Sequence, residues 1–192
     1  MRKTRLEAFS DGVMAIIITI MVLELKIPEG TTWEALRPVI PVFLTYALSF
    51  VYIAIYWNNH HHLLHVAKRI SAGIMWANAN LLFWLSLVPF ATGWMGENHF
   101  EPLPVAVYAG LMFVCGVAYT ILQKTIEACH KNDAELKAFM QSQLHKGITS
   151  LIAYAAAIPL AYVNTIFSGT IFIFVAVAWL IPDKKSEQIQ NE

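Results

Sequence analysis

Apolar residues fall along this chain in long runs, broken at intervals by glycine, proline and charge. Gly12 to Leu23 is interrupted only by Thr19, and with the residues on either side it predicts a first span from about Thr4 to Leu25. Pro28-Glu29-Gly30 breaks that span. Thr31 or Thr32, with Glu34 within a turn, predicts the start of a second long helix, Trp33 to about His65. Pro38 lies early in it, where a missing amide is tolerated, and Pro41 is a candidate kink. A third span is expected over Ile70 to Trp94, ended by Gly96-Glu97-Asn98, and Pro102 and Pro104 introduce a fourth that continues to about Ile126. The polar stretch from His130 to Lys146 contains Asn132 followed by Glu135, a capping-box-like start, and predicts a short surface helix from Asp133 to Gln143. A fifth span from Ile148 to Val163 and a sixth from Thr165 to Ile181 are separated by Asn164 alone, and Pro182-Asp183-Lys184-Lys185 stops the last. The expected fold is all-α: six transmembrane helices in one domain over 1–185, with a polar tail over 186–192.

Composition narrows the class. Hydrophobic residues make up 57% of the chain and charged ones 14%, which excludes a disordered or ordinary soluble protein. The net charge of zero gives no basis for a nucleic-acid partner. Cys115 and Cys129 form neither a disulfide framework nor a metal spacing. Arg2, Lys3 and Arg5 ahead of an apolar run resemble a secretory leader, but Asp11 interrupts that run and no small-x-small cleavage site follows it, so a retained helix is expected. In a six-span arrangement Arg2, Lys3, Arg5, Lys68, Arg69, Lys124, Lys131, Lys137, Lys146, Lys184 and Lys185 fall on one side, and only Lys26 and Arg37 on the other. This bias predicts that both termini are cytoplasmic. Glu24, Glu29, Glu34, Glu97 and Glu101 fall on the outer side, where they either concentrate cations or serve simply as loop residues.

The first helix carries an arginine, a glutamate and an aspartate in its opening turns, and charges in a spanning helix are functional candidates. At about 100° per residue, Arg5, Phe9, Gly12, Ile16 and Leu23 share a stripe, with Thr19 and Ile20 to either side. Ser10 and Asp11 point away from it, towards other helices of the same subunit. Without further information such a stripe would be expected to face lipid or neighbouring helices. No Ser-His-Asp set, phosphate-cradling loop or dinucleotide fingerprint is present, so an enzyme is not expected. The Thr-Val-Gly-Tyr-Gly carbonyl filter is also absent, and no span has the serial arginines of a voltage sensor.

Arg5-x-x-x-Phe9-Ser10-Asp11, opening an apolar first helix, resembles the signature of the transmembrane-protein-175 family of potassium channels. The spacing Trp57-x-x-His60-His61 resembles that family's second-helix motif, which contacts the first. One chain supplies one copy of the motif-bearing helix, so a central pore requires a symmetric oligomer. The resemblance implies a homotetramer in the cell membrane with the first helix lining the pore. Carried over by position from Asp11, it implies Ile16 as the narrowest ring, Ile20 and Leu23 further out, and Thr19 as a ring of hydroxyls. Arg5, Phe9, Ser10, Asp11, Trp57, His60 and His61 would form the motif and gating network. The activity implied is passive, potassium-favouring cation flux, with potassium ions, the lipid bilayer and further copies of the chain as partners and with no cofactor. Because animal members also pass protons, a proton-conducting channel is the alternative.

Histidines supply a rival from another class. His61 and His65 stand four residues apart and could share a metal or haem face, although no carboxylate or cysteine lies nearby in sequence. The structural alternative is that an imidazole donates to Asp11, with His61 or His60 favoured and His62 open. Asn78 and Asn80 are polar groups in the third span and are expected to hold helices together.

Overall fold

The computed structural model describes residues 3–130 and 134–181. Among them are eight helices and no strand: α1 (Lys3–Leu23), α2 (Trp33–Leu36), α3 (Val39–Val66), α4 (Ala72–Ser86), α5 (Val88–Glu97), α6 (Pro102–Cys129), α7 (Ala134–Val163) and α8 (Thr165–Leu180). Five stretches are long and apolar enough to cross a bilayer: α1, α3, α4 with α5, α6, and most of α7. The sixteen-residue α8 is apolar but shorter.

Proline chemistry explains most breaks. Gly30, at φ +124°, takes the turn after α1 in a conformation that a side chain would oppose. Thr32 caps α2 by accepting from the Ala35 amide at 3.4 Å. The Glu34 amide and the Thr32 hydroxyl hold the Glu34 carboxyl below its ordinary range. Pro38 has no amide to offer Glu34, so α2 stops and α3 begins afresh with Pro38 as its N-cap residue. Pro41 then falls in the first turn of α3, where no helical partner is lost. The expected third span divides at Leu87 into α4 and α5, because Pro89 cannot donate back to Leu85.

One expected division does not occur. The short surface helix and the fifth span are a single helix, α7, since nothing stronger than Gly147 stands between them. A glycine inside a helix costs only about 1 kcal/mol. The expected cap at Asn132 lies outside the described residues, as does the tail from Pro182. The tight turn at Asn164 is present: its side chain accepts from the Ile166 amide at 2.9 Å and starts α8.

Two buried clusters hold the helices together. One gathers Leu6, Met14, Ile17 and Met21 of α1 against α3, α4 and α6, through Ile53, Leu81, Leu85 and Leu122 among others. The second joins α3, α5, α6, α7 and α8 around Tyr52, Met95, Tyr108, Tyr154 and Phe172. In lipid such packing depends on close contact and on hydrogen bonds between helices. Both are visible. A Cβ on Gly96 would come within 2.7 Å of the Val42 backbone, so α5 lies directly on α3 there. Ser49 bonds Tyr108 at 2.9 Å and accepts from Thr92 at 2.7 Å, linking α3, α5 and α6.

The ends of the bundle differ in charge. At one end Lys3 Nζ donates to the His65 carbonyl at 2.6 Å. The amides of Lys68 and Arg69 both donate to His130 Nε2, at 3.1 and 3.0 Å. That nitrogen must therefore be unprotonated, and Nδ1 carries the hydrogen given to the Ile126 carbonyl at 2.9 Å. At the other end Lys26 pairs with Glu97 at 2.6 Å, and this bond raises the Lys26 pKa.

Candidate functional site

The first helix has two unlike faces, and its sequence dictates both. Leu6, Ser10, Met14, Ile17 and Met21 recur at helical spacing and are buried against the subunit. Arg5, Phe9, Gly12, Ile16, Thr19, Ile20 and Leu23 lie on the other side and are exposed on the isolated chain. The contrast is sharp between neighbours: Ile17 is 2% accessible and Ile16 58%, while Leu23 reaches 81%. A Cβ on Gly12 would meet nothing within 4 Å. Thr19 Oγ1 donates to the Ile16 carbonyl at 2.8 Å, which commits its proton to the helix and leaves its oxygen lone pairs available.

Behind the open face lies a polar network crossing three helices. Ser10 Oγ donates to the Leu6 carbonyl at 2.8 Å, so its lone pair accepts from Asn78 Nδ2 at 2.9 Å. That orientation aims Asn78 Oδ1 at His60 Nε2, 2.6 Å away, and requires the imidazole to be the donor. All three side chains are almost fully buried. Asn78, expected only as a helix-holding residue, is the bridge between α1 and α3.

Asp11 has a different partner from the one expected. Its Oδ1 accepts from the indole of Trp57 at 3.0 Å, not from a histidine. Trp57 and His60 point to different sides of α3, and α4 lies opposite His60, so the imidazole turns to Asn78. His61, exposed and one turn beyond Trp57, stacks on the indole at 6.2 Å between ring centroids and on His65 at 6.3 Å. Among the described residues, no three His, Cys, Asp or Glu side chains converge as metal ligands would. Cys115 is buried and Cys129 exposed, both as free thiols.

Span-length apolar helices, bonded to one another through buried polar side chains, define a multi-pass helical membrane protein. Comparison with known proteins gives its family. Residues 5–89, which include every member of the network above, match the model of the endosomal/lysosomal potassium channel TMEM175. A potassium channel of Chryseobacterium sp. (strain P1-3) is 48% identical over the full length of both chains. One of Streptomyces collinus is 34% identical over 62% of this chain and 61% of its own. The mouse endosomal/lysosomal proton channel TMEM175 is 28% identical over 93% of this chain, which spans 41% of that longer protein. The crystal structure of a lysosomal potassium-selective channel TMEM175 homologue from Chamaesiphon minutus superposes with a TM-score of 0.78, at 27% identity over 93% of this chain and 96% of that one. The chain belongs to the TMEM175 family, a family of ion channels and not of enzymes.

Proposed function

We propose that this chain is the subunit of a homotetrameric channel that passes potassium in preference to sodium, passively, along an axis lined by α1. The observation that carries this reading is the open stripe of α1. One face of the helix, from Leu6 to Met21, is packed into the subunit, while a continuous row from Arg5 to Leu23, with Ala8, Ala15 and Val22 along its edge, is exposed among the described residues. Four copies turned inward would cover that row. Ile16 would then form a mid-membrane ring of branched apolar side chains, with Ile20 and Leu23 beyond it and Thr19 oxygens beside it. Such a ring is a narrow, dry passage. Potassium holds its water less tightly than sodium and loses less on crossing. The names of the bacterial relatives support potassium as the favoured ion.

The network of Arg5, Phe9, Ser10, Asp11, Trp57, His60 and His61 is proposed to set the tilt and rotation of α1. Asp11–Trp57 and Ser10–Asn78–His60 fix it at two heights against α3 and α4. The mammalian relatives' name as proton channels supports proton passage as a second reading. A dry isoleucine ring with hydroxyls beyond it offers protons no titratable group to hop through, which favours potassium. Flux measured in proteoliposomes with one permeant cation at a time decides between the two.

The chain is further proposed to be a single domain over 1–185 with six spans and both termini cytoplasmic, in the cell membrane, with permeant potassium and no cofactor. The charge bias gives this a direct check. A cysteine introduced as Glu97→Cys is expected to react with an impermeant thiol reagent added to whole cells, in a background lacking Cys115 and Cys129, while Ser186→Cys reacts only after permeabilisation. Reversed labelling would discard the orientation.

A further inference from the structure

A groove of about 350 Å³ runs between α6 and α7 near the end of the bundle that holds Lys3 and His130. Its walls include Leu144, Ile148 and Leu151, and its rim carries Lys124, Glu127 and Lys137. Leu144 and Ile148 are about half exposed on the subunit. Resting on the reading that α1 lines the axis, we propose that this groove holds the headgroup and upper acyl chain of one anionic phospholipid.

Three observations converge on that occupant. The first is depth. At about 1.5 Å per residue a thirty-residue helix is about 45 Å long, against a hydrocarbon core of ~30 Å. The first turns of α7, which carry Lys137, therefore stand at headgroup level, while Ile148 and Leu151 enter the acyl region. The second is charge. Lys124 is paired with Glu127 at 3.3 Å, so the three rim charges among the described residues sum to a single positive one, which one phosphodiester neutralises. A zwitterionic lipid leaves that charge unmet. Basic pockets between helices on the cytoplasmic side are suited to anionic headgroups, and the charge bias puts this end there. The third is placement. α1 packs against α3, α4 and α5, α6 packs against α4, and α7 packs against α6. With α1 at the axis, the α6–α7 groove opens outward to the bilayer.

Native mass spectrometry of the full chain in detergent, offered phosphatidylglycerol or phosphatidylcholine with identical acyl chains, tests the proposal. Wild type is expected to retain at least about five-fold more phosphatidylglycerol. Lys124→Gln with Lys137→Gln should bring the two lipids level, while Lys26→Gln at the opposite end changes nothing. Lys124 is 69% exposed, so the double variant leaves the packed core alone, and an unchanged melting temperature verifies this. Equal retention of both lipids by wild type, or an undiminished preference in the double variant, overturns the lipid site. The same spectra count subunits. A chain that is not tetrameric yet loses its preference in the double variant overturns the pore reading and sustains the lipid site.

Discussion

Ile16→Asn is expected to collapse the preference for potassium over sodium while total cation flux holds or rises. In the proposed tetramer this one substitution places four amides at the narrowest ring. An amide binds water and offers an oxygen to a passing ion, so the dehydration cost falls for every cation. Sodium, the more strongly hydrated ion, gains more, and the permeability ratio drops. Each 1.4 kcal/mol removed from the difference between the two barriers lowers the ratio about tenfold. Val13→Asn is the control, because Val13 is partly buried against the subunit core and lies off the open stripe. Planar-bilayer reversal potentials under bi-ionic conditions read both variants. If the two behave alike, or if Ile16→Asn leaves the ratio unchanged, the stripe does not line the pore.

The second large effect is expected at Asn78. Its amide bridges Ser10 and His60 in the bonds described above, and none of the three exceeds 1% accessibility. Asn78→Leu keeps the volume but strands the His60 N–H in an apolar interior with no water to replace the lost acceptor. That costs roughly 1–3 kcal/mol. Ser10 suffers less, because its own proton stays on the Leu6 carbonyl. Asp11→Ala should be milder still, since its Trp57 partner is 46% exposed on the subunit. A thermal-melt cycle of Asn78→Leu, His60→Leu and the double variant measures the coupling. Strong non-additivity is expected, with the double variant losing less than the two single variants together. Additive losses would mean that the 2.6 Å bond carries no energy of its own.

Much of this arrangement is legible in the sequence, and the limits have physical causes. The faces of α1 can be read from Leu6, Ser10, Met14 and Ile17 against Phe9, Gly12 and Ile16, because no breaker interrupts the helix and one period governs it throughout. The start of α3 after Pro38 and the break at Leu87 follow from prolines whose missing amides are local facts, although the apolar runs on either side predict one unbroken helix in each place. The continuity of α7 is harder to read: a polar stretch followed by an apolar one looks like two elements, and only the absence of a proline at the junction near Gly147 makes it one, Pro159 lying further along inside the same helix. The partner of Asp11 could not be read at all. Trp57, His60 and His61 are all candidates by spacing, and the choice depends on which helix stands opposite each side of α3. That is a property of packing between distant segments, and local periodicity does not carry it. The same applies to Asn78, whose polarity marks it as a helix-bonding residue while its two partners lie 68 and 18 residues away.

The most direct test of the central claim is cation flux in proteoliposomes containing the purified chain, with potassium, sodium or protons in turn as the sole permeant ion. The expected result is protein-dependent potassium flux well above that of sodium, with Ile16→Asn bringing the two together. Flux no greater than that of empty vesicles, or flux carried by protons alone, would contradict a potassium channel built around α1.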